Sequence, residues 1–115
     1  MTVRGAWIVV PLAALTLSCS GDERPPITVA ERMVTVENQS ATKWSEVEVW
    51  LNDYYRVTTP VLEAGGRFVA PQSSFVAGFG QRFDPARQSP YGVLVTAHAA
   101  DGSQVKLVWG KPYKR

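Results

Sequence analysis

The sequence predicts an all-β fold, a small antiparallel β-sandwich of two packed sheets. Three observations predict it. From Ile27 onward the apolar residues recur with period two, and nowhere does the i, i+3, i+4, i+7 spacing of an amphipathic helix last beyond a turn or two. Gly, Asn, Asp and Pro punctuate the chain at short intervals, as turns between short strands require. With 45% hydrophobic and 19% charged residues, the composition is that of a folded domain rather than a disordered chain.

The elements follow in order. Val34 and Val36 alternate with Thr35 and Glu37, which predicts a strand over 27–38. Val47, Val49 and Leu51 alternate with Glu46, Glu48 and Trp50, giving a strand over 45–51 with one apolar face. Asn52-Asp53 then marks a turn before a strand over 54–59, and Gly65-Gly66 marks another before a strand over 67–70. Phe75, Ala77 and Phe79 fit one face of a core strand over 74–79. Strands over 91–99 and 104–109 close the series, the latter with Val105, Leu107 and Trp109 on one face. Asp101-Gly102 between them suits a two-residue hairpin, whose central residues both take positive φ.

Composition bounds the chemistry. Twelve Lys+Arg against ten Asp+Glu leave a net charge of +2, which predicts no nucleic-acid binding. His98 is the only histidine, so no zinc site with two histidines can form, and a Ser/His/Asp triad would need this one residue as base. Its register opposite Val93, Val95 and Ala97 points it to solvent or to an edge. Cys19 is the only cysteine, so the folded part holds no disulfide and relies on its core. Gly65, Gly66, Gly78 and Gly80 read as turns or bulges, because no Gly-Lys-Ser/Thr follows them to make a phosphate loop. Neither a metal nor a cofactor is expected.

The N-terminus reads as an export signal. Met1 to Gly5 carries one charge, at Arg4, and the apolar run from Ala6 to Leu17, too short to span a bilayer as a helix and interrupted by Pro11, ends at Ser18-Cys19. Leu15-Thr16-Leu17-Ser18-Cys19 resembles the lipobox of bacterial lipoproteins, with Thr16 standing where leucine is usual. The resemblance covers only the first fifth of the chain. It implies cleavage before Cys19, acylation of that cysteine and an exported, membrane-tethered domain. Ser20 directly after the cysteine implies the outer membrane, facing the periplasm, rather than the inner one. The expected organisation is a signal peptide over 1–18, a lipidated cysteine and flexible spacer over 19–26, one β-domain over 27–112 and a basic tail over 113–115. That domain is loosely similar to the small immunoglobulin-like modules of bacterial envelope proteins, although it lacks the Cys, Trp, Cys framework of antibody domains. A small open β-barrel is the alternative architecture.

Two regions are candidate partner-binding sites. Trp50 and Tyr54 fall on the face opposite the apolar one and flank the same turn, so with Arg56 they would form an aromatic, cationic patch. The segment 72–90 is rich in turn formers, and within it Arg82 and Arg87 bracket Phe83, a composition suited to an interface hot spot. The expected function is a non-enzymatic envelope module that binds or supports a protein or a cell-wall polymer. A carbohydrate-binding or carbohydrate-acting domain using Glu46, Glu48, Trp50 and Tyr54 is the alternative, and it requires aromatic ring faces open to solvent.

Overall fold

A computed structural model describes residues 24–113. The expected signal peptide, Cys19 and Lys114-Arg115 lie outside them. The strands are β1 (Ile27–Ala30), β2 (Met33–Glu37), β3 (Trp44–Leu51), β4 (Tyr55–Leu62), β5 (Arg67–Pro71), β6 (Val76–Ala77), β7 (Gly92–Ala99) and β8 (Gln104–Gly110). They form two antiparallel sheets, a three-stranded one in the order β1-β2-β5 and a five-stranded one in the order β6-β4-β3-β7-β8, not closed into a barrel. Among the described residues no helix is long and apolar enough to cross a membrane.

The core lies between the sheets. Ile27, Val34, Val36 and Ala70 from the smaller sheet meet Val47, Val49, Leu51, Val93, Val95 and Ala97 from the larger one. Burial alternates along β3 and β4 because successive side chains point to opposite faces. Pro60 is accommodated in β4 because β6 pairs only with Tyr55 and Arg56, leaving the rest of that side unpaired.

Four elements differ from the sequence reading, each for a local reason. The expected strand over 27–38 is a hairpin: Glu31 and Arg32 both take left-handed φ, 55° and 64°, and turn β1 back onto β2. The expected strand over 74–79 shrinks to β6, preceded by a 3-10 turn over Gln72–Ser74 and followed by a tight turn in which the Gly80 amide donates to the Ala77 carbonyl. Phe75 is therefore core while Phe79, at the tip of that turn, is 76% exposed. In β3 the register shifts between Ser45 and Glu48, and Glu46 has φ 52°, so an extra residue bulges out. The bulge is what lets Trp44 point inward with Val47 although the two are an odd number of residues apart.

The turn between β7 and β8 is also not the two-residue type. Only Gly102 has positive φ, 90°, and its amide donates to the Ala99 carbonyl, while the Asp101 carboxylate accepts from the Ser103 amide and hydroxyl. A type I turn followed by one left-handed residue fits this pattern, and it asks for glycine at that single position.

The two ends of the molecule are closed by buried asparagines. At the end where the chain enters β1, Asn38 donates from Nδ2 to the carbonyls of Thr42 and Leu62, and its Oδ1 accepts from Ser40. At the opposite end Asn52 donates to the Ser89 carbonyl and accepts from the Tyr91 amide, tying the β3–β4 turn to the segment entering β7.

Candidate functional site

The outer face of the five-stranded sheet carries the candidate site. Strand register determines which residues meet there, since directly opposed residues share a face. Arg82 opposes Val76, Val76 opposes Arg56, Arg56 opposes Trp50, Trp50 opposes Leu94, and Leu94 opposes Val108. One row thus crosses the whole sheet, with charged and apolar residues alternating up to Trp50 and apolar residues from there to Val108. A second row runs beside it through Thr58, Glu48, Thr96 and Lys106.

Around Trp50 the row becomes a groove. Its indole Nε1–H donates to Glu48 Oε1 at 3.2 Å, and the Arg56 guanidinium carbon lies 5.3 Å from the ring centroid. Arg56 also approaches Glu48 at 3.9 Å, so the three side chains are in mutual contact. Such a cation over an indole, half-exposed, contributes on the order of 0.5–1 kcal/mol. Tyr54 stands beside them with 66% of its surface exposed. Trp50, Tyr54 and Arg56, together with Val57, Thr58, Val76, Ala77 and Gly78, line a shallow groove of ≈ 580 Å³. Leu94 is only 6% exposed although it lies on the outer face, where Trp50 and Val108 flank it.

The sequence-predicted patch of Trp50, Tyr54 and Arg56 is thus brought together, and Arg82 joins it at the end of the same row. Phe83 is not available to a partner. It is 1% exposed and stacks edge-on against Tyr55, with ring centroids 5.3 Å apart, so it belongs to the core. Arg87 projects into solvent from the following loop, 3.6 Å from Asp84, and Arg82 donates to the Ser73 carbonyl at 3.4 Å. The expected hot spot around Phe83 therefore resolves into a buried anchor and two separated cations.

Comparison with known protein families, characterised proteins and solved structures found no match. The site has to be read from its own chemistry.

Glu46 and Glu48 both line a second pocket with Thr58, Thr59 and Pro60, but they engage different partners. Glu46, displaced by the bulge, reaches His98 at 3.3 Å, whereas Glu48 is engaged by Trp50 and Arg56. His98 is half exposed on the outer face, as its register predicted. Among the described residues no cluster of three or more His, Cys, Asp or Glu could hold a metal ion.

One further polar cluster sits beside the β3–β4 turn. The Tyr91 hydroxyl donates to Asp53 Oδ2 at 2.9 Å, the Tyr113 amide donates to the same oxygen, and the two tyrosine rings stack edge-on. Loss of hydration at the hydroxyl, followed by the bond to the Asp53 carboxylate, pushes the Tyr91 phenol up to about 12. The cluster fastens the backbone of Tyr113, where the basic tail was expected to begin, to the β3–β4 turn.

Proposed function

We propose that this chain is an envelope lipoprotein, anchored through acylated Cys19 in the outer membrane facing the periplasm, whose non-enzymatic domain binds a protein partner. The observation that carries the binding reading is the groove around Trp50, Tyr54 and Arg56. It combines an exposed aromatic ring, a guanidinium held over an indole and a lining of mixed polar and apolar side chains, a composition suited to an interface hot spot. The carbohydrate reading has less support, because Arg56 already covers the Trp50 ring and Glu48 already accepts its N–H.

An immunoglobulin-like classification is part of the same proposal. What supports it is a three-stranded sheet, β1-β2-β5, facing β8-β7-β3-β4-β6, with a buried tryptophan, Trp44, on the third strand.

The test has two arms. Mass spectrometry of the protein extracted from membranes should find a mature chain starting at an acylated Cys19; a start beyond it, or a free thiol in a soluble product, removes the anchor. A photo-crosslinking residue at Tyr54 should give a discrete protein adduct in intact cells, and one at Val69, exposed on the smaller sheet, should not. Equal labelling from both positions, or none from Tyr54, would reject the groove as the binding surface.

A further inference from the structure

The edge of the five-stranded sheet at β8 is open, and its chemistry specifies an occupant. The Ala99 amide donates to the Ser103 carbonyl and the Lys111 amide to the Tyr91 carbonyl, which fixes the phase of the β7–β8 ladder. In that phase Val105, Leu107 and Trp109 exchange backbone hydrogen bonds with β7, while the N–H and C=O groups of Gln104, Lys106, Val108 and Gly110 point outward. Among the described residues those groups have no strand partner; β1 belongs to the other sheet and exchanges no backbone bond with β8. The inward side chains on this edge are also only half covered: Val105, Leu107 and Trp109 are partly buried, in contrast to Val93, Val95 and Ala97 on β7. An added strand would satisfy the first and cover the second.

We infer that β8 pairs antiparallel with the β8 of a second copy of this chain, joining two five-stranded sheets into one. The strand is self-complementary in the register that pairs its whole length. With Leu107 on the two-fold axis, each Lys106 faces the partner's Val108, each Gln104 faces the partner's Gly110, and on the inner face Val105 meets the partner's Trp109. A shift that centres the axis on Lys106 would set two lysines directly opposite each other, which is destabilising. Exposed edges are ordinarily guarded by proline, bulges or several charges. Within Gln104–Gly110 the only charge is Lys106, and the strand stays extended up to the left-handed Gly110, φ 70°, at its end. The pairing depends on the β7–β8 register and not on what fills the groove; it places both grooves on the same side of the joined sheet.

Proline substitutions separate this contact from folding. Lys106→Pro and Val108→Pro each remove an outward N–H that β7 does not use, so the domain keeps its own ladder. Sedimentation of the full-length, detergent-purified protein should give a dimer for the wild type and for Lys106→Ala, and a monomer for both prolines with the melting temperature shifted by only a few degrees. A wild-type monomer in the most concentrated preparation, or a dimer that survives both prolines, overturns the inference. Should the prolines unfold the domain, Leu107→Cys decides. Oxidation should yield a 107–107 disulfide identified by mass spectrometry, and its absence overturns the inference as well.

Discussion

Two ionisable side chains make stability depend on pH in opposite directions. Glu37, at the end of β2, accepts from Gln39 Nε2 and Arg24 on one oxygen and from Arg67 at 2.9 Å on the other. The Gln39 and Arg67 hydrogen bonds, with the neighbouring guanidinium charges, hold its carboxyl below its ordinary value of 4.5. A carboxyl with a depressed folded value contributes stability above its unfolded value and loses it as pH falls through the folded one. Wild type should therefore be more stable than Glu37→Gln at neutral pH, with the gap closing below about pH 4.5 in thermal melts. A gap that persists unchanged to about pH 3 would contradict this role. For Tyr91 the sign is reversed. Its phenol is raised from 10.0 to about 12, so its contribution is complete below pH 10 and is lost as pH climbs toward 12. Tyr91→Phe should flatten the alkaline limb of the stability profile over that window.

At the scale of elements, the segment between β5 and β7 shows how far pattern reading reaches. Period-two alternation placed β3, β7 and β8 within a residue or two, because both sheets bury one face and the core repeats along each strand. It misplaced Phe79, because the spacing of Phe75, Ala77 and Phe79 mimics a strand face, while the turn that begins at Ala77, signalled by Gly78 and Gly80, breaks the alternation there. Glu31-Arg32 was likewise invisible, since neither residue type favours left-handed φ and tertiary pairing of β1 with β2 imposes it. In the candidate site, Trp50, Tyr54 and Arg56 were legible because one hairpin joins them. Val76, Leu94 and Val108 were not, because the row they complete depends on pairing between strands far apart in the chain. The phenylalanines give the sharpest test of this segment. Phe83→Ala should cost about 3–5 kcal/mol in denaturant unfolding, while Phe79→Ala should stay within about 0.5 kcal/mol. Similar losses for both would mean that the tip of the β6 turn packs against the domain.

The molecule as a whole is fastened at the end where the chain enters. Pro26 accepts from the Glu37 amide, the Arg24 carbonyl accepts from Gln39, and the Arg24 guanidinium lies 3.2 Å from Glu37, so 24–26 belong to the domain rather than to a free spacer. A chain starting at Ile27 should accordingly unfold at lower denaturant than one starting at Asp22, by about 1–2 kcal/mol for two lost backbone acceptors. Equal midpoints would show that these contacts contribute nothing. The same docking limits reach. Between the acylated cysteine we propose and the first fastened residue only 19–23 remain, a stretch that spans at most roughly 17 Å. On so short a leash the domain sweeps a thin layer above the lipid headgroups and meets anything else confined to that layer at high effective concentration. A partner that is itself membrane-bound could then be held by an affinity too weak to retain a freely diffusing one.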